Sequence, residues 1–506
     1  MRLSKHLFIE AQKHKRRNNL LIFLGIILLE MLFLYGNYHD EKGLADGWMI
    51  LFYNMPIMNS LFLPVLISTF ASRLMDIEHR GEMLKCIYTF TSPQQIFTVK
   101  AVYGLLSLCL LVASQCASIL LMAKILSFPL DFPVGYLLYY GINTFFSCSM
   151  LFLLHLTLSY FFRNQAVSVS VGLIGSFLGL FSAYLPPSAF QKLLPWSTFL
   201  NSLFIQMDWN RETRDVKWLL VDFHCASVIC SVLWSTAFVL LAAILLKKSG
   251  IEADGLRNRT PIAEKTICIH RHPVEFMKLK GSPSWFAFFI IPILSAVIGT
   301  LNYLGNLEIL TNGWFSLWTQ HTLFLCYFFM PVIIGVFAGC IWRVEHSGTN
   351  MNILLTHSAP VRIVLGKYAV SVFITALSLL WIVVLYIVSG IFCHIEGPLP
   401  DGLIFWILCG TISACSICAL QLFLSLIIRN FVLPVVLAFA GGILGLACIA
   451  KGIPYVLPYA LFSLAMTENH ENINLPYFLM CSVFFIVIFL ILSVWYLKYA
   501  DVKSHE

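Results

Sequence analysis

The chain has 506 residues, of which 11% are charged and 59% belong to the apolar set AVILMFWYC, and its formal net charge is +7. Soluble domains carry about 25% charged residues, so this composition excludes a soluble globular protein and leaves little mass outside a membrane. The apolar runs are continuous rather than alternating, which predicts spanning helices and not barrel strands.

The first nineteen residues hold six of the basic ones, and no small-residue cleavage site follows the first apolar run. That pattern reads as a retained start rather than a cleaved signal. Within Arg2 to Arg17, Leu3, Leu7, Phe8 and Ala11 share one helical face, which predicts a helix lying on the membrane surface. Apolar runs then cover residues 20–36, 50–74, 99–125, 134–162, 165–185 and 219–246. After a polar linker come 285–304, 317–342, 367–393, 402–428, 431–450 and 475–497. Each is close to or above the ~20 residues a spanning helix needs, so the sequence predicts twelve spans, six per half. The pieces 193–204 and 454–466 are too short to span and read as re-entrant or interfacial.

Alternating the segments from a cytoplasmic N-terminus puts 25 of the 32 Lys and Arg residues inside and seven outside. The positive-inside rule therefore predicts a multi-pass protein of the cell membrane with both termini cytoplasmic. Thirteen acids fall on the outer segments against those seven basic residues, a negative outer face that would attract a cationic peptide.

A polar island, 71–100, recurs at an offset of 267 as 338–367. Glu78, His79, Gly81, Thr89, Pro93, Ile96 and Lys100 fall on Glu345, His346, Gly348, Thr356, Pro360, Ile363 and Lys367. These are seven identities in 23 positions, where average usage gives roughly one or two. Arg163-Asn164 repeats as Arg429-Asn430, Gly175 and Gly179 as Gly441 and Gly445, and Glu10, Lys13 and Lys15 as Glu275, Lys278 and Lys280. The chain thus reads as two parallel repeats, 1–246 and 273–506, joined by a cytoplasmic linker, 247–272.

No phosphate loop, H-E-x-x-H or G-x-S-x-G motif is present, so no catalytic residue and no cofactor is assigned to the chain. Cys415 and Cys418 form a lone C-x-x-C in an apolar setting, short of a metal-ligand set. The islands are the best site candidates: Glu78, Glu82 and Glu345, outside the lipid and any packed core, are expected to face a partner's Arg or Lys. Glu30 lies mid-way through the first span, where a carboxylate costs about 2.5–3.5 kcal/mol on insertion scales. It is a candidate for the substrate path or a proton relay, with His155 and His321 as further intramembrane candidates.

These features together resemble the type 2 ABC export permeases. The order is a surface helix, two spans, a Glu-bearing cytoplasmic element, and a Pro and Lys entering the third span. A tight turn then joins spans four and five, and a broken outer segment precedes span six. Within that superfamily the chain is most similar to the lantibiotic (bacteriocin) immunity permeases, here as a fused pair. The resemblance implies coupling helices at Glu78 to Met83 and Glu345 to Asn350, seated on two copies of an ATP-binding subunit that supplies ATP and Mg. Arg163-Asn164 and Arg429-Asn430 would form a second cytoplasmic contact. It further implies export of a peptide or amphipathic compound between two six-helix bundles, with no nucleic-acid partner. The alternatives are a multi-span membrane enzyme and an ion-coupled carrier using Glu30.

Overall fold

The computed structural model describes residues 3–15, 19–37, 46–79, 83–128, 134–162, 165–182, 192–209, 216–223, 225–255, 279, 284–343, 345–346, 350–429, 431–467 and 473–499. Ten of its helices are long and apolar enough to cross a membrane. Two shorter apolar helices, Phe23–Tyr35 and Val167–Phe181, stand where the first and fifth spans are expected. This is a helical multi-pass membrane protein. The chain separates into two compact units, Met1–Glu264 and Lys265–Glu506.

In the first unit the second span, Gly47–His79, packs against the fourth, Val134–Phe161, and the fifth, Gln165–Phe181. The third span, Pro93–Ile125, starts where Ser92 accepts a bond from the Gln95 N–H and Pro93 occupies the first turn. Its counterpart in the second unit, Pro360–Phe392, also opens on proline. Helices in lipid gain nothing from mutual hydrophobicity, so close approach depends on small residues. The repeated glycines show this directly. A Cβ on Gly175 would sit 2.0 Å from the Trp196 indole, and one on Gly441 2.3 Å from the Tyr459 ring. Trp196 and Tyr459 each follow a Leu-Pro, so both fifth spans carry glycine to admit the short outer piece beside them. Those pieces are single short helices, Thr198–Asn201 after a 3-10 turn and Pro458–Thr467, the latter almost wholly buried.

Three features depart from the sequence reading. The first unit carries a two-stranded antiparallel ribbon, Ile205–Trp209 with Val216–Leu220, between the short outer piece and the sixth span, whose helix starts at Ala226 rather than at 219. Alternation explains it: Ile205 and Met207 share a face with Leu220 and Trp218. Ile205 is buried there, and Trp218 meets Tyr53 edge-on with ring centroids 5.2 Å apart.

The N-terminal surface helix, Leu3–His14, turns its polar face inward. Glu10 and His14 are buried, while Phe8 and Ile9 are exposed. Buried charges with partners outweigh the short apolar face of this helix (see below).

The third departure is one extra residue. Gly47-Trp48 matches Gly313-Trp314 at an offset of 266, but Glu78 matches Glu345 at 267. The second unit absorbs the insertion as a π-helical turn, Leu325–Phe329, between Gly313–Phe324 and Met330–Arg343. The displaced Tyr327 carbonyl lies so near Gly442 that a Cβ there would be 1.9 Å from it.

Candidate coupling site

The two islands are built on the same contact. In the first unit, the second span ends at Glu78-His79 and the third brings Lys100 beneath that end. The Lys100 ammonium donates to the Leu74 carbonyl at 2.9 Å, lies 3.1 Å from Glu78 Oε1, and donates to Glu10 Oε1 at 2.5 Å. Lys13 donates to Glu78 Oε1 at 2.6 Å from the surface helix. Lys100 and Glu78 are each 1% exposed. In the second unit, Lys367 donates to Glu345 Oε1 at 2.6 Å and to the Ile341 carbonyl at 3.1 Å, and lies 4.7 Å from the Trp342 ring centroid.

Lysine suits this place. Near its C-terminus a helix carries partial negative charge that a cation offsets, and in the second unit Ile341 is among the last four carbonyls, which lack intrahelical donors. Leu74 and Glu78 are one turn apart on the same helix, and Glu345 lies four residues past Ile341, just beyond the end of its helix, so in each unit one ammonium reaches both. The histidines repeat too. His79 Nε2 donates to the Ser159 carbonyl at 2.8 Å, and His346 Nε2 to the Ser425 carbonyl at 2.9 Å. Each ties the end of the second span to the end of the fourth.

Electrostatics follow the geometry. Burial disfavours the Glu10 carboxylate, but the bond from His14 and the charges of Lys100 and Lys13 outweigh it and bring Glu10 down to about 2. Burial likewise opposes the Lys13 charge, yet the bond to Glu78 and the nearby Glu10 raise its pKa. His346 is lowered by burial, with the Arg429 and Lys367 charges adding to that against the Ser425 carbonyl.

This arrangement corrects one expectation. Glu78 and Glu345 do not stand outside the packed core; they are 1% and 3% exposed and neutralised within their own units. The physical reason is the matched lysine, which belongs to the same repeated set of identities. What each island offers outward comes next in the chain: the short helices Met83–Ile87 and Asn350–His357. Met83 is 48% exposed, Ile353 55%, and Phe90 just past the first helix 91%. Gly81, Glu82, Gly348, Arg163, Asn164 and Asn430 lie outside the described residues.

The intramembrane candidates are not brought together. Glu30 is fully buried and accepts from Gln115 Nε2 at 2.9 Å through Oε2, while among the described residues Oε1 has no hydrogen-bond partner. Gln115 also donates to Asn59 Oδ1 at 2.8 Å, and Asn59 donates to the Tyr140 hydroxyl at 2.8 Å. His155 instead pairs with Ser168 Oγ at 3.1 Å, and His321 in the other unit with Thr300 Oγ1 at 3.0 Å. Among the described residues, no group of three or more His, Cys, Asp or Glu is placed to hold a metal. Sequence reasoning matched Lys100 with Lys367 and Glu10 with Glu275, but did not pair Glu with Lys. The available signal was opposite charges repeating together at nearly constant offsets.

The sequence profile described as ABC-2 family transporter protein matches residues 6–179 and, a second time, 273–445. Both matches contain an island with its Glu, His and Lys. No curated protein matches the chain.

Proposed function

The chain belongs to the ABC-2 family of transporters, and on that premise we propose that it is the fused permease of an ATP-driven exporter. It works with an ATP-binding subunit, in two copies, one for each island. The N-terminus, the C-terminus and both islands face the cytoplasm, in line with the 25-to-seven division of Lys and Arg. Residues 1–246 and 273–506 act as the two permease repeats, with 247–272 as linker.

The observation that carries this reading is the duplicated lock. Lys100 with Glu78, and Lys367 with Glu345, fix the end of a second span immediately before a short exposed helix. A rigid base under an exposed helix transmits a push, which a solvated loop cannot. In this proposal Met83–Ile87 and Asn350–His357 are the coupling helices. Glu78, His79, Glu345 and His346 position them rather than touch the ATPase. Arg163-Asn164 and Arg429-Asn430 supply a second contact.

The cargo we propose is a cationic amphipathic peptide of the lantibiotic class, drawn by the thirteen acids of the outer segments, making the chain an immunity or resistance permease. Glu30 with Gln115, Asn59 and Tyr140 is the polar patch in the spans where such a cargo's ammonium groups find a carboxylate.

The test is reconstitution. The purified chain alone should hydrolyse no ATP, and vanadate-sensitive hydrolysis should appear when its ATP-binding subunit is added. Hydrolysis by the rigorously purified chain alone would refute the reading. Cells carrying both subunits should survive higher doses of a cationic lantibiotic-type peptide; protection confined to neutral small drugs would remove the peptide from the proposal.

A further inference from the structure

The second unit holds a small cavity of about 10 Å³ at the end of its second span, where Arg343, His346 and Arg429 meet Phe431 and Pro434. Arg343 is the last residue of its span, and Arg429 lies in the turn between Leu403–Ile427 and Val432–Ala450. Both therefore sit at the boundary where apolar helix gives way to headgroups and water. The Arg343 guanidinium stands 6.0 Å from the Phe431 ring centroid, a cation-π contact that holds it at the cavity. Arg429 is exposed, and among the described residues no carboxylate pairs with it.

The matching positions of the first repeat have a different character. Offsets of 267 and 266 place Asp76 where Arg343 stands, Gln165 where Phe431 stands and Ser168 where Pro434 stands. The second copy is thus more cationic at the rim and more apolar beneath it. That combination suits a ligand with an anionic head and an apolar body. An acidic surface of another protein would use the arginines but not the apolar floor.

We propose that Arg343 and Arg429 form a phosphate-group site, occupied by the phosphodiester of an anionic phospholipid. The cavity has room for about one oxygen atom, since a water needs roughly 10–15 Å³. One phosphate oxygen is seated against Arg343. The rest of the headgroup stays at the surface beside Arg429, and the acyl chains lie along the apolar side. Basic pockets between helices on the cytoplasmic side recognise lipid headgroups by this chemistry. His346 follows Glu345 directly, so an occupied site touches the lock that positions the second coupling helix. The inference rests on the proposed cytoplasmic placement of the islands, but its readout needs neither an ATPase nor transport.

The experiment uses the purified full chain and native mass spectrometry, with dioleoylphosphatidylglycerol, dioleoylphosphatidylcholine and inorganic phosphate as separate probes. The wild-type chain should retain phosphatidylglycerol over phosphatidylcholine. Arg429→Gln and Arg343→Gln should each lower that retention by about fivefold, the equivalent of ~1 kcal/mol per basic residue near a charged surface. Phosphatidylcholine retention should not change. Arg429 is exposed, so its variant keeps the test valid if Arg343→Gln folds poorly. Displacement of phosphatidylglycerol by millimolar inorganic phosphate would support the phosphate site and make a free anion its source. Equal retention of both lipids by wild type and variants overturns the proposal. So does loss of ATP-binding-subunit contact in the variants with lipid retention unchanged, which would make the arginines a protein contact.

Discussion

At the ends of their second spans the two halves keep the same contacts: a lysine shared between a glutamate and a carbonyl one turn earlier, and a histidine bonded to the fourth span. Within the spans they differ. The first half buries Glu30, Asn59, Gln115 and Tyr140 in one hydrogen-bonded group. Offsets of 264, 267, 267 and 266 place Leu294, Cys326, Ile382 and Trp406 in the second half. There Trp406 stacks on Trp318 with ring centroids 5.7 Å apart. Duplication followed by divergence has left the cytoplasmic lock alike and the interior unlike. Work that both halves share belongs to the lock, and work particular to one half belongs to the interior.

The largest effect should come from breaking the lock. Glu345→Gln takes the carboxylate from the buried Lys367 ammonium, at about 3–5 kcal/mol, whereas after Glu78→Gln Lys100 still holds Glu10 and the loss is smaller. Both variants should show a clear fall in thermal midpoint in detergent and lower yield in the membrane. Charge reversal to Lys should be worse still, because it sets two ammonium groups together out of water. Normal stability in either glutamine variant would show that the pair is not holding the span end.

Acid should loosen the first lock next. Glu10 is depressed to about 2, so its contribution is complete above its ordinary value near 4.5 and is lost as pH falls from there toward about 2. A thermal-midpoint profile of the wild type should therefore drop below about pH 4.5, and Glu10→Gln should flatten that drop. An unchanged profile in the variant would remove Glu10 from the lock.

The interior gives the smallest expected effect. Gln115→Leu takes the Gln115 donor from the Glu30 carboxyl and from Asn59 Oδ1, at about 1–3 kcal/mol. At the matching position of the second half, Ile382→Leu is a near-isosteric change and should cost under about 1.5 kcal/mol. Equal losses at the two positions would erase the contrast between the interiors.

Much of this was legible in the sequence because charge is rare in the chain. Against an apolar background, Glu78-His79 and Lys100 repeating as Glu345-His346 and Lys367 stood out, and they mark the lock. Burial was not legible, because a Glu beside a membrane boundary reads the same whether it faces water or a lysine from another span. The π-helical turn at Leu325–Phe329 was hidden for a related reason: no repeated charged residue fixes the register between Trp314 and Pro331, where the one-residue slip falls. The strands Ile205–Trp209 and Val216–Leu220 were masked by their length, since runs of five apolar and polar residues fit a strand, a loop or a re-entrant turn alike.

The central claim is that the short helices after each lock dock an ATP-binding subunit. A photo-reactive residue placed at Met83, at Ile353 and, as a control, at Gln206 on the ribbon tests it in intact cells. Met83 and Ile353 are exposed, so the label should leave the fold intact. The account predicts that both helix positions capture a chain identified by mass spectrometry as carrying a phosphate-loop ATPase, and that Gln206 does not. Failure of both Met83 and Ile353 to capture such a chain, with the permease present at normal levels, would contradict it.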